Sequence, residues 1–349
     1  MKRGSYLTIV FFLIIRVSFA QDAQLSQFYN APLYLNPAFT GTEQNTRVST
    51  TYRNQWPSSG GIPYTTALAC IDHYIAKYNS GVGFMAMQNT AGTPSLRSTQ
   101  LSALYSYKVD LNENWTFIPG LQATYVNQNL NFSKLTFPDQ FTNSGYSGGP
   151  SGEPLTSNVK SYMDFSAGGL LYSNTFWVGT AYHHLNHPNQ AFSPIISNLP
   201  GELNIHAGAR IPIENNIRGR TTQKSYAEKA IIPSIIYESQ GKFSQLDIGA
   251  YLLYQPVMIG VWYRGLPFKH YAPGYPNYES IVPMIGFNYK DFTFSYSYDF
   301  VISSLTTAHS GGANEVSIIY VFGKEEIKKP GVKNKRLPCP KFYRNGGLF

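Results

Sequence analysis

The sequence predicts an all-β fold, a transmembrane antiparallel β-barrel of fourteen strands, and three observations carry that expectation. The first is Asp291–Phe300, where aromatic and small polar residues alternate without a break. Successive side chains of a strand point to opposite faces, so Phe292, Phe294, Tyr296, Tyr298 and Phe300 share one face. Thr293, Ser295, Ser297 and Asp299 share the other, which suits lipid on one side and a wet lumen on the other. The second is composition: 13% charged and 15% aromatic residues, with 27 Tyr and 30 Gly, where soluble domains carry about 25% charge. The third is that no stretch after Ala20 reaches the ~18 apolar residues of a spanning helix. Only helices and closed barrels satisfy their backbone groups in lipid.

The elements follow in chain order. Lys2 and Arg3, an apolar run from Tyr6 to Ile15, and small residues at Ser18 and Ala20 read as a secretory signal peptide over residues 1–20, cleaved between Ala20 and Gln21. Arg16 interrupts the run, which is too short to span a membrane. Strand candidates then lie at 46–55, 64–75, 80–90, 96–110, 114–131, 159–173, 175–186, 201–213, 229–239, 244–254, 256–264, 280–289, 291–300 and 313–322. Junctions at 77–80, 111–114, 173–174 and 289–291 are tight, whereas 132–158, 187–200, 265–279 and 301–312 are long and rich in Gly, Pro, Ser or Asn. Short and long connections alternate, with 214–228 the exception, as in an outer-membrane barrel with periplasmic turns and outer loops. An even strand count places both termini in the periplasm. Residues 21–322 thus form one barrel with an N-terminal segment, without the linker and charged surface that two β-sandwich domains require. Fourteen strands enclose more space than wall side chains fill, so the lumen is either a channel or occupied by loops or the tail.

Charge is uneven. The formal +8 resides in the signal segment and in 323–349, a basic tail with eight Lys/Arg against two Glu. The chain between them is near neutral, so the basicity describes a tail rather than a nucleic-acid surface. Two cysteines, Cys70 and Cys339, make no disulfide scaffold, and their pairing stays open. His183, His184 and His187 cluster at a strand end. A lipolytic Ser–His pair at a barrel rim is one use for them, but no Gly-x-Ser-x-Gly elbow accompanies them. His183 and His187 sit four apart, a helical metal spacing on what reads as strand-into-loop. The sequence therefore points to no catalytic residue, no metal ligand and no cofactor, and to a protein that is not an enzyme.

Tyr34-Leu-Asn-Pro-Ala-Phe-Thr-Gly41, followed by a first strand Arg47-Val-Ser-Thr-Thr-Tyr-Arg-Asn-Gln-Trp-Pro57, resembles the opening signature of the PorP/SprF family of outer-membrane proteins. His183–Phe192, Leu246–Tyr254, Tyr296–Ile302, Ser310–Phe322 and Cys339–Phe342 also look like that family, and Asn215–Glu228 is longer than its usual turn. The resemblance implies an outer-membrane barrel working with the type IX secretion machinery, in export or surface attachment of a large adhesin-like client with a C-terminal sorting domain. It also implies an association with gliding. Asn36, Pro37, Gly41, Arg53 and Trp56 are the motif residues expected to contact a partner or to close the barrel. Pro37 restricts Asn36, Gly41 supplies a turn conformation, Arg53 pairs with a lumen carboxylate, and Trp56 suits the aromatic girdle. A passive or substrate-specific porin is the alternative that barrel size alone favours.

Overall fold

The computed structural model describes residues 22–322 apart from 44, 59–63, 93–95, 133–134, 144, 150, 153–156, 195, 214–228, 273–274 and 304–306. Fourteen long strands form: β1 (Arg47–Gln55), β2 (Tyr64–Ile75), β3 (Ser80–Ala91), β4 (Leu96–Tyr107), β5 (Thr116–Asn129), β6 (Val159–Tyr172) and β7 (Phe176–His183). There follow β8 (Glu202–Ala209), β9 (Lys229–Gln240), β10 (Phe243–Tyr254), β11 (Val257–Ala272), β12 (Tyr275–Tyr289), β13 (Phe292–Val301) and β14 (Ala313–Val321). Each pairs antiparallel with its chain neighbour, and β14 pairs with β1 from Arg47↔Val321 to Gln55↔Ala313. The sheet is therefore a closed barrel with no free edge. Among the described residues no helix is long and apolar enough to cross a membrane.

The alternation that predicts the strands also sorts their faces. On β13, Phe292, Phe294, Tyr296 and Phe300 are 40–47% exposed on the outside, while Thr293, Ser295, Ser297 and Asp299 are buried inside. On β14, Val316 and Ile318 point out and Glu315, Ser317 and Ile319 point in. Two rims result. The turn rim carries the short connections 76–79, 173–175, 255–256 and 290–291; the loop rim carries 130–158, 184–201 and 302–312.

Three features depart from the sequence reading. The expected loop 265–279 is largely strand: β11 and β12 continue to Ala272 and from Tyr275, with register shifts beginning at Arg264/Gly265. Gly265, at φ +147, absorbs the first irregularity, and the loss of clean alternation there is what reads as a loop. The second is the lumen: among the described residues it is the segment before β1, residues 23–43, that threads it, and most of its side chains are buried. The described part of 130–158 instead lies at the loop rim with an exposed small hairpin, Phe141–Thr142 with Gly145–Tyr146. The third concerns the chain ends. Threading carries Asp22 to the loop rim, beside Gln240 and His184, while Val321 ends at the turn rim. The two described ends therefore lie at opposite rims, although β1 and β14 meet the same rim as expected. The signal segment with Ala20 and Gln21, the 214–228 connection, the 323–349 tail and Cys339 lie outside the described residues.

Candidate functional site

The lumenal segment is the part of the molecule that the barrel is shaped around. It consists of short turns: a 3-10 turn at Phe28–Asn30, one α turn at Pro32–Leu35 and a second 3-10 turn at Pro37–Phe39. Pro32 and Pro37 each open a turn, where a missing amide costs nothing. Asn36 caps the second, its Oδ1 accepting from the Ala38 amide at 2.9 Å. Its Nδ2 reaches the wall, 3.2 Å from the Gly169 carbonyl and 3.1 Å from that of Thr180. The wall opposite carries no side chain where the segment presses closest. A Cβ on Gly120 would lie 2.4 Å from the Ala38 nitrogen, and one on Gly168 would meet Asn36 Oδ1. Gly41 turns the chain toward β1 at φ +69, and its amide donates to Asp72 Oδ2 at 2.8 Å.

Two kinds of contact hold the segment. Phe28 and Tyr29 meet an inward aromatic cluster, Phe28 to Trp262 at 5.6 Å and Tyr29 to Trp177 at 5.8 Å between centroids. Phe39 stacks on His206 at 5.1 Å. The second is a buried charge network. Arg53 Nη2 lies 2.7 Å from Asp299 and Nη1 3.2 Å from Glu315. Arg264 pairs with Asp247 at 2.9 Å and with Asp299 at 3.2 Å. Glu315 accepts the backbone amides of Ser26 and Gln27 at 2.7 and 2.9 Å. Near the turn rim Arg47 pairs with Asp72 at 2.8 Å. Buried ion pairs come out close to neutral against apolar packing, whereas each fully buried Phe or Leu contributes about 1.5–3 kcal/mol. Phe28, Leu33, Leu35 and Phe39 therefore provide most of the affinity, and the charges set the register.

At the outer end of the segment, His184 sits between carboxylates. Its Nδ1 is 3.0 Å from Asp164 and its Nε2 2.5 Å from Asp22. Burial opposes the charged imidazole, but the Asp22 and Asp164 carboxylates outweigh it and raise His184 to about 11. Burial likewise opposes the Asp22 charge, and His184 overrides it to hold that carboxyl below its usual range.

The structure brings together Asn36, Pro37 and Gly41, all on the lumenal segment, and links Arg53 to that segment's Ser26 at 2.8 Å. Trp56 lies apart, just past β1 at the loop rim, edge-to-face with Tyr64 at 5.2 Å. Arg53 does pair with lumen carboxylates. The sequence reading missed Ser26, Asp247, Arg264, Asp299 and Glu315 as one network. The available signal was charge at inward-facing positions of strands in a chain so poor in charge. His183 contacts Ser166 at 3.1 Å through Nδ1, but both are buried in the lumen rather than at a lipid-facing rim. A hydrolytic pair needs the second imidazole nitrogen for the serine and an acid on Nδ1.

Solved barrels resemble this one. They include the Acinetobacter baumannii outer membrane protein Omp33 (8% identity, 80% of this chain, 99% of that one, TM-score 0.42). The CymD monoaromatic hydrocarbon channel matches at 14% identity over 84% of this chain and 93% of its own, TM-score 0.44. The P. putida toluene transporter TodX matches at 12% over 84% and 94%, TM-score 0.43. At such scores the likeness adds nothing to the barrel that the strand pairing defines. No curated protein matches the chain. The family model for the type IX secretion system membrane protein PorP/SprF matches residues 17–320, nearly the whole barrel and its lumenal segment. The chain belongs to the PorP/SprF family of type IX secretion system membrane proteins.

Proposed function

We propose that this outer-membrane barrel helps the type IX machinery export, or hold at the cell surface, a large adhesin-like client with a C-terminal sorting domain. The observation that carries the reading is the filled lumen. Residues 23–43 occupy it with buried side chains and a charge network tied to five strands. A passive porin keeps its lumen wet and open; a scaffold that presents loops and binds partners has no need to. Family membership names the machinery, and the loop-rim connections 130–158 and 184–201 give a client a broad surface.

In this reading the turn rim faces the periplasm. The basic 323–349 tail then follows β14 on that side, where it can dock machinery components, and Asp22 lies at the outward mouth. Signal cleavage between Ala20 and Gln21 releases the end that threads the lumen. Outer-membrane lipid meets the aromatic outer face, and service in gliding motility depends on which client is carried.

The experiment is a pull-down of the native protein from detergent-solubilised outer membranes, read by mass spectrometry. A large co-purifying surface protein with a C-terminal sorting domain supports the reading. A lone barrel that conducts ions, and whose deletion leaves surface proteins unchanged, replaces it with the porin.

A further inference from the structure

We propose that His184, Asp22 and Glu202 form a binding site for one divalent transition-metal ion, which fastens the outer end of the lumenal segment to the barrel wall. One ligand atom from each of the three lies within 4.8 Å of the others. Bonds of about 2.0–2.2 Å to a zinc-like ion place ligand atoms roughly 3–3.5 Å apart. Closing the set around an ion therefore needs only small side-chain shifts. One imidazole nitrogen and two carboxylates are a donor set that first-row divalent ions accept.

Two further observations point to a cation. His184 Nδ1 is held by Asp164 Oδ2 at 3.0 Å, which aims Nε2 at Asp22. A carboxylate behind an imidazole is the usual outer partner of a metal-bound histidine, fixing its tautomer and orientation. The other oxygen, Asp164 Oδ1, is buried and has no hydrogen-bond partner, on a side chain only 7% exposed. Asp164 lines the same cavity of about 30 Å³ as Asp22, His184 and Glu202, room for an ion with a water or two. Gln122, whose buried Oε1 is likewise without a partner, lines it as well.

Three carboxylates, Asp22, Asp164 and Glu202, surround a single imidazole here, and Asp22 and Asp164 both pair with that same ring. A divalent ion supplies the missing positive charge. Binding replaces with the metal both the proton between His184 Nε2 and Asp22 Oδ2 and the one that the hydrogen-bonded carboxyl groups of Asp22 and Glu202 share, and both protons leave to solvent. The ion would then join the first described residue of the threaded segment to the connection after β7 and to the start of β8.

The test is zinc retention by the full-length protein in detergent, stripped with EDTA, loaded with Zn²⁺ alone and passed through a gel-filtration column before elemental analysis. Heat-modifiable electrophoretic mobility reports in parallel that each variant keeps a folded barrel. One equivalent is expected for the wild type, with affinity reduced at least tenfold in His184→Gln and about 10–100-fold in Asp164→Asn. Glu202→Gln, at the partly exposed edge, provides the same readout should His184→Gln fail to fold. His187→Gln leaves retention unchanged, because His187 Nδ1 faces the Leu199 carbonyl at 3.2 Å instead. A folded wild type that retains no zinc, or a folded Glu202→Gln that retains it equally well, overturns the site and leaves a protonated histidine clamp. Neither result bears on whether a client co-purifies.

Discussion

Arg53 on β1 and Ser26 in the lumenal segment meet at 2.8 Å, the guanidinium Nη1 donating to the serine Oγ. The same hydroxyl lies 2.9 Å from both carboxylate oxygens of Asp299 and 3.2 Å from Arg264 Nη2. One small side chain thus sits where β1, β11 and β13 converge, and β14 adds Glu315 beneath its amide. The segment and the seam that closes the barrel share a single set of charges.

Arg53→Ala removes the cation from between Asp299 and Glu315, and leaving a buried charge unpaired costs about 3–5 kcal/mol. Fourteen paired strands stay closed without it, so the expected failure is local. Limited proteolysis should cut within 22–43 while the 47–321 barrel keeps its heat-modifiable mobility, and client export should fall. Loss of the folded barrel instead would make Arg53 a closure residue with no separable part in export.

Gly41→Ala tests the turn that delivers the segment to β1. An alanine at φ +69 is strained, and its Cβ would stand 2.6 Å from the Gly81 Cα, a backbone atom that cannot step aside. The strain alone is about 1–3 kcal/mol. The thermal midpoint of the mobility shift should drop, and Gly81→Ala, whose Cβ would stand 2.3 Å from the Thr40 carbonyl oxygen, should drop it similarly. An unchanged midpoint in both would mean that the segment does not press on β3.

Strand existence was legible because lipid and lumen impose alternation along each strand, and Phe292–Phe300 displays it. The extent of β11 and β12 was not, because Gly265 and the shifted pairs beyond it break the two-residue period. The lumenal segment was visible as a motif but not as a plug. Asn36, Pro37 and Gly41 announce turns, yet nothing local says which surface those turns meet. That information is long-range, carried by Gly120 and Gly168, whose missing side chains matter only once Ala38 and Asn36 are set against them. The His184 cluster was hidden for the same reason, since Asp22 and His184 are 162 residues apart.

The His184 clamp gives a pH dependence with a definite sign in metal-free protein. Its folded value is raised from 6.5 to about 11, so its stabilisation is fully present below pH 6.5 and lost as pH rises through about 11. Asp22 is shifted the other way, so its share is present above pH 3.8 and lost only below the usual carboxylate range. Hydrogen exchange of the Asp22–Leu25 amides should therefore stay slow across neutral pH and quicken toward strong alkali. His184→Gln should remove that alkaline step. A step near the ordinary histidine value would instead mean that His184 is not paired with Asp22.

Deleting residues 23–40 tests whether the segment is what closes the lumen. The aromatic cluster of Trp177, Tyr251 and Trp262 would lose Phe28 and Tyr29, and Arg53 and Arg264 would face water in place of Ser26. Wall pairing does not depend on the segment, since every strand keeps both neighbours. The deleted barrel should insert and conduct ions in a planar bilayer, while the wild type under identical conditions stays closed. Asp299 and Glu315 would then line an aqueous path beside Arg53 and Arg264, so cation and anion permeabilities should differ from those of a neutral pore. Equal conductance with and without residues 23–40 would mean that ions pass around the segment, and the porin reading would regain its ground.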